Sequence, residues 1–160
     1  MVLEEFLEEI TKYMSVKHMP EQHYPALRRF DALKSDSSDA AVEGLVCNLD
    51  EPFSQTLLRL IDSKKMLDSE VYTHVNIDRR HFAKIRRPDY RPSKQTVLAL
   101  AFALELDIVE TKRLLERAGF ALSHSKIADV IVEYFIMHRI YDFDEINKVL
   151  RKYEQKPLGG

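Results

Sequence analysis

Arginine and lysine side chains are concentrated in a short stretch near the middle of this 160-residue sequence. Residues 76–94 carry seven cations and two aspartates, a net charge of +5, whereas residues 1–51 sum to −6 and the whole chain to −2. Guanidinium groups bind phosphates and guanine edges through paired hydrogen bonds, so this stretch suits an anionic partner. We call these seven residues the cationic set: Arg79, Arg80, Lys84, Arg86, Arg87, Arg91 and Lys94.

The cationic set has two explanations that the sequence leaves open. Like charges so close together repel one another unless a polyanion or an acidic surface neutralises them. They could equally form a solvated helix face and loop. Helical spacing places Arg80 and Lys84 on one side and Phe82 and Ile85 on the opposite side. Tyr90 lies among the cationic residues, and we expect its side chain to pack within the loop more readily than to stack on a base.

The other reactive residue types indicate no catalytic or metal site. None of the six histidines stands at a recognisable zinc-ligand spacing from a cysteine or carboxylate. The one cysteine, Cys47, has no basic neighbour in the sequence that would activate its thiol. Four glycines could hardly supply a phosphate-binding loop. We therefore expect no cofactor, no metal, no small-molecule substrate and no enzymatic activity.

The elements that must position the cationic set are predicted to be helices. Leucine, alanine, glutamate, lysine and arginine are abundant and favour helix, and no strand-like alternation occurs. Asn76 is expected to adopt left-handed geometry in a tight turn, and Gly119 to end a helix. The predicted helix-starting residues are Asp50, Asp68, Asp78, Ser93, Asp107, Ser123 or Ser125, and Asp142 or Asp144.

Two units are predicted along the chain. Residues 1–50 form an N-terminal amphipathic helix with a loop-rich appendage, and residues 51–156 form a compact helical bundle. The N-terminal helix, over residues 2–14, has an apolar side that either packs as core or docks on a partner, a second copy of the chain included. Residues 34–39 are predicted to be a loop, and residues 156–160 to be disordered. The candidate partner-binding residues are Leu3, Phe6, Leu7 and Ile10.

Residues 68–109 resemble the lambda-repressor/Cro-type (XRE-type) helix-turn-helix family. Two short helices around the Asn76 turn are followed by Pro92-Ser93 and an alanine-rich helix that ends near Leu106. With its flanking helices the resemblance covers residues 52–118, and it implies a central five-helix unit followed by two extra C-terminal helices. Residues 114–150 more weakly resemble part of a bacterial helical unit that is sometimes fused to macro domains.

The resemblance implies that the second helix of the pair lies in the major groove of DNA. Three positions depart from the family pattern. Asp68 replaces a glutamine and would repel a phosphate, Tyr72 replaces an alanine and would separate the two helices, and Asn76 replaces the turn glycine. Carried over by position, the groove-facing residues are Arg79, Arg80 and Lys84, and those near phosphates are Arg86, Arg87, Arg91 and Lys94.

We therefore predict a nucleic-acid-binding module, for double-stranded DNA first of all, with a role in transcriptional regulation and a homodimer as one arrangement. The alternative is a protein-interaction adaptor in which the cationic set meets an acidic protein surface. The acidic N-terminal segment is expected to compete with phosphates for the basic residues. No apolar run approaches 18 residues and the N-terminus is acidic, so we expect a cytoplasmic protein that does not enter the membrane.

Overall fold

A computed structural model describes residues 38–159, which form eight α-helices and no strand. The predicted N-terminal helix, with Leu3, Phe6, Leu7 and Ile10, lies outside the described residues. The helices are α1 (Ser38–Cys47), α2 (Phe53–Ser63), α3 (Asp68–His74), α4 (Arg79–Ile85), α5 (Lys94–Ala103), α6 (Ile108–Arg117), α7 (Ile127–Met137) and α8 (Phe143–Lys152). The all-α prediction is thus confirmed for this part of the chain.

Helix α5 lies at the centre of the bundle. All of its residues from Thr96 to Ala103 are buried, and three of them are alanines, which let neighbouring helices approach closely. A helix that is apolar on every side must be surrounded by protein. Helices α3 and α6 contact α5 directly, α2 and α7 pack on α6, and α8 packs on α7. The cationic set lies on α4, in the loop that follows it and at the start of α5, and these elements are anchored in one hydrophobic core.

Several helix ends follow their predicted signals. The Ser93 hydroxyl accepts a hydrogen bond from the Thr96 backbone N–H at 3.2 Å and caps α5. Asp107 and Glu110 form a capping box at the start of α6, each carboxylate accepting from the other residue's backbone N–H. Asp142 caps α8 in the same position, and Gly119 ends α6 with φ of 79°.

Three predicted helix starts were wrong. Helix α2 begins at Phe53 behind Pro52, and Asp50 instead accepts a hydrogen bond from Arg117 at 2.7 Å. Asp68 is the first residue of α3 and not its cap. Helix α7 begins at Ile127, after both candidate serines. Asp50 and Asp68 form ion pairs with Arg117 and Arg86 instead. Rules for helix capping consider only neighbouring residues and cannot predict such distant partners.

The two segments predicted to lack regular structure also required correction. Helix α1 begins at Ser38, so the last two residues of the predicted 34–39 loop are helical. The tail packs onto the bundle, where Leu158 is buried and its backbone N–H donates to the Asn147 side-chain oxygen at 2.8 Å. The buried Leu158 side chain and the hydrogen-bonded Leu158 backbone N–H fix this segment on the bundle, although its composition predicted disorder.

Candidate nucleic-acid interface

The turn between α3 and α4 has the predicted left-handed residue. Asn76 has φ of 52°, a conformation that asparagine tolerates better than most non-glycine residues. The Ile77 backbone N–H donates to the Tyr72 carbonyl at 2.9 Å, and Ile77 is buried. This is the bonding pattern of a Schellman motif, which ends α3 and redirects the chain into α4. Residues 68–85 therefore form two short helices joined by a tight turn at Asn76, as predicted.

The inner side of α4 is anchored in the core. Phe82 and Ile85 are both buried, as predicted from their spacing. Tyr72, which we expected to force the helices apart, places its half-buried ring against Phe82, with 5.5 Å between ring centroids. The contact adds aromatic packing between α3 and α4 and helps to fix their relative position.

The outer side of α4 is cationic and exposed. Arg79, Arg80 and Lys84 are exposed, as is Ala83 between them. Among residues 38–159, neither these three cations nor Arg91, which follows in the loop, forms an ion pair or side-chain hydrogen bond. The sequence analysis did not identify Ala83, although its helical spacing from Arg79 and Arg80 was a sufficient signal. Ala83 thus lies on the outer side of α4 together with the exposed Arg79, Arg80 and Lys84.

Two exposed members of the cationic set, Arg86 and Arg87, are paired with aspartates. Arg86 donates to Asp68 at 2.6 Å, and Arg87 donates to Asp89 at 3.1 Å. All four side chains are substantially exposed to solvent. Asp68 was expected to repel a phosphate, but its charge is already matched by Arg86, so that penalty is smaller than the sequence suggested.

Lys94 does not belong to the exposed cationic surface. Its ammonium group donates to the Asp129 carboxylate at 2.6 Å and to the Ala121 carbonyl at 2.7 Å, and its side chain is 16% exposed. The prediction that Lys94 lies near phosphates is therefore corrected, because the lysine ties the start of α5 to α7. The sequence analysis did not identify Asp129, although an acidic residue on a mostly apolar helix was a signal for a buried ion pair.

The loop after α4 is braced by a tyrosine. Tyr90 is half-buried against the core, and its hydroxyl lies 3.2 Å from Nε2 of His81 on α4. This placement agrees with a wedge within the loop. The brace holds the segment that carries Arg86, Arg87 and Arg91 close to α4. We call the exposed cations together the α4 cationic surface: Arg79, Arg80, Lys84, Arg86, Arg87 and Arg91.

Other sites offer little chemistry within residues 38–159. No group of three histidine, cysteine or carboxylate side chains there is arranged to hold a metal ion. None of the helices in this range is long and apolar enough to cross a bilayer. The carboxylate of Glu133, which is buried, lies 2.6 Å from Nε2 of His124 and forms a second polar link on α7 in addition to the Lys94–Asp129 pair.

Comparison with known proteins adds no relative. No protein-family model matches the chain, and searches of curated proteins and of solved structures give no significant match.

Proposed function

We propose that the chain is a nucleic-acid-binding module that docks α4 in the major groove of double-stranded DNA, in the manner of the lambda-repressor-like family. The observation that carries the proposal is the α4 cationic surface. Its residues Arg79, Arg80, Lys84 and Arg91 are exposed and have no partner among residues 38–159. Cations in this state are free to bind phosphates or base edges without breaking an existing interaction.

The charge balance of the surface favours an anionic polymer. Without Lys94, residues 76–91 contain six cations and two aspartates, a net charge of +4. The pairs of Arg86 and Arg87 with aspartates are solvent-exposed, and such pairs contribute only about 0–1 kcal/mol. Phosphates can therefore compete for these two arginines at small cost. A protein that binds double-stranded DNA in this way would serve in the regulation of transcription.

The shape of α4 also favours groove docking. A helix with side chains is roughly 10–12 Å across, and the major groove is about 12 Å wide. Ala83 lies at the centre of the exposed side, so the helix backbone can come near the base edges while longer side chains reach to either side. Phe82 and Ile85 hold the helix against the core, which keeps the cations preorganised for binding.

The test measures binding to a fluorescently labelled duplex by anisotropy over a range of salt concentrations. Arg80→Ala combined with Lys84→Ala should weaken binding and reduce the slope of log K against log salt by about 2, since each lost phosphate contact contributes roughly 0.9. If the two residues contact base edges instead, the slope of log K against log salt should be unchanged, and the variant should discriminate less well among duplex sequences. Both residues are exposed, so the melting temperature should stay nearly constant.

A matched control removes two cations elsewhere. Arg113 and Lys126 are exposed on α6 and before α7, away from α4 in sequence, and form no ion pair among residues 38–159. Arg113→Ala combined with Lys126→Ala lowers net charge equally and should leave binding nearly unchanged. If both double variants lose the same affinity for the duplex, the loss is due to overall charge and not to the position of the residues on α4. Failure of the unaltered chain to bind any duplex at low salt would exclude the proposal.

A second candidate function is a protein-interaction adaptor whose α4 cationic surface meets an acidic protein. The Arg86–Asp68 and Arg87–Asp89 pairs favour it, because they show these arginines already bound to carboxylates. Co-precipitation with and without nuclease separates the two candidates. An interaction that survives digestion and is lost in the Arg80→Ala, Lys84→Ala variant supports the adaptor.

A further inference from the structure

Helix α1 exposes an apolar side to solvent. Val42 and Val46 are 55% and 60% exposed, and Leu49, just beyond the helix end, is 78% exposed. The four-residue spacing of Val42 and Val46 places them on one side of α1, and Leu49 follows in the connection. Leu45 beside them is half-buried. An apolar helix side of this kind normally packs against a partner.

The connection after α1 is anchored to the bundle. Asp50 accepts a hydrogen bond from Arg117 on α6 at 2.7 Å, and Glu51 accepts one from Thr56 on α2 at 3.0 Å. These links join α1 to two core helices through charged groups and not through its apolar side chains. The apolar side of α1 is therefore held at the surface of the bundle, where Val42 and Val46 are exposed.

We propose that the apolar side of the N-terminal segment packs on the apolar side of α1 within the same chain. The residues that would make this contact are Leu3, Phe6, Leu7 and Ile10. A helix over residues 2–14 would be about 20 Å long and α1 is about 15 Å long, so the two apolar sides are similar in extent.

The connecting chain is long enough for this packing. Residues 15–37 lie between the two segments, and a chain of that length can reach at most roughly 80 Å, which exceeds the length of either helix. Packed helices lie only about 8–10 Å apart, axis to axis. The N-terminal segment can therefore return to α1 in either direction without stretching the connection.

A second copy of the chain is a poorer occupant of α1. A standard interface buries about 800 Å² on each partner, and three partly exposed side chains supply only a fraction of that area. Association of two chains also loses translational and rotational freedom. A segment of the same chain is present at an effective concentration of roughly millimolar, so a small apolar contact is enough.

Disulfide trapping in the full chain tests the proposal, because Cys47 is the one cysteine and is exposed at the end of α1. Leu3→Cys and Ile10→Cys place a second thiol near either end of the N-terminal segment, which covers both possible helix directions. Glu4→Cys and Glu9→Cys are the controls, at neighbouring positions on the charged side. Under mild oxidation at low protein concentration, one of the two apolar-side variants should form an intramolecular disulfide at least tenfold faster than its control.

A second substitution tests the surface of α1 itself. Val46→Asp, added to the faster variant, should slow intramolecular disulfide formation at least tenfold. Val109→Asp, at a valine that is 62% exposed on α6, should leave the rate unchanged. Equal rates from the apolar and charged sides would overturn the proposal. Disulfide-linked dimers as the main product of both apolar-side variants, at the same low protein concentration, would overturn it in favour of a second copy.

Discussion

Truncating the side chain of Leu158 should measurably destabilise the bundle, although this residue lies in a tail that composition marks as disordered. Leu158 is 6% exposed, and the Asn147 side chain bonds both its backbone N–H, at 2.8 Å, and its carbonyl, at 3.4 Å. The backbone N–H of the following residue, Gly159, donates to the Gln95 carbonyl, and its carbonyl accepts from the Thr96 hydroxyl, both at 3.4 Å. The tail therefore links α8 to α5.

The magnitude follows from the burial of the leucine. Leucine-to-alanine substitutions in cores cost about 2–5 kcal/mol, and Leu158 keeps 6% exposure, so the low end of this range applies. We expect Leu158→Ala to lower the free energy of unfolding by about 2 kcal/mol. For a domain of this size that corresponds to a decrease in melting temperature of roughly 6–10 °C.

The assay is urea unfolding followed by far-ultraviolet circular dichroism. Leu67→Ala is the matched control, because Leu67 is 67% exposed and its removal should change stability by less than about 0.5 kcal/mol. Asn147→Ala should also destabilise the protein, and combining it with Leu158→Ala should cost less than the sum, since both undock the same tail. Equal urea midpoints for Leu158→Ala and Leu67→Ala would refute the docked tail.

Three other predictions concern the turn at Asn76, the buried Lys94–Asp129 ion pair and the loss of stability at alkaline pH. Asn76→Val should cost about 1–3 kcal/mol by urea unfolding because a β-branched residue is strained at φ of 52°, whereas Asn76→Gly should be nearly neutral. Lys94→Met should cost about 3 kcal/mol by leaving the Asp129 carboxylate buried without its cation, and adding Asp129→Leu should recover much of that loss. The Tyr141 hydroxyl donates to the Leu106 carbonyl at 2.7 Å, and burial raises the pKa of this phenol above 10.0. Its stabilisation is thus complete below pH 10 and is lost as pH rises through the raised pKa, so Tyr141→Phe should cost about 1 kcal/mol at pH 7 and lose less stability than the unaltered chain between pH 9 and pH 12.

Interactions within a few residues determined what the sequence could predict. Ser93, Asp107 and Asp142 cap their helices as expected, because a capping side chain needs only the backbone three residues ahead. The left-handed Asn76 and the inward-facing Phe82 follow equally local rules of turn chemistry and helical spacing. The local geometry of the candidate site was therefore predictable, and so was the exposed position of most of its cations.

Long-range contacts decided the rest. Asp129, 35 positions from Lys94 in the sequence, withdraws that lysine from the candidate site, and Arg117 takes Asp50 from its expected capping position across 67 positions. Asn147 likewise converts a polar, glycine-ended tail into a packed one by satisfying the backbone of Leu158. A charged or amide side chain binds whichever partner the fold brings within about 3 Å, and only the tertiary structure specifies which partner that is.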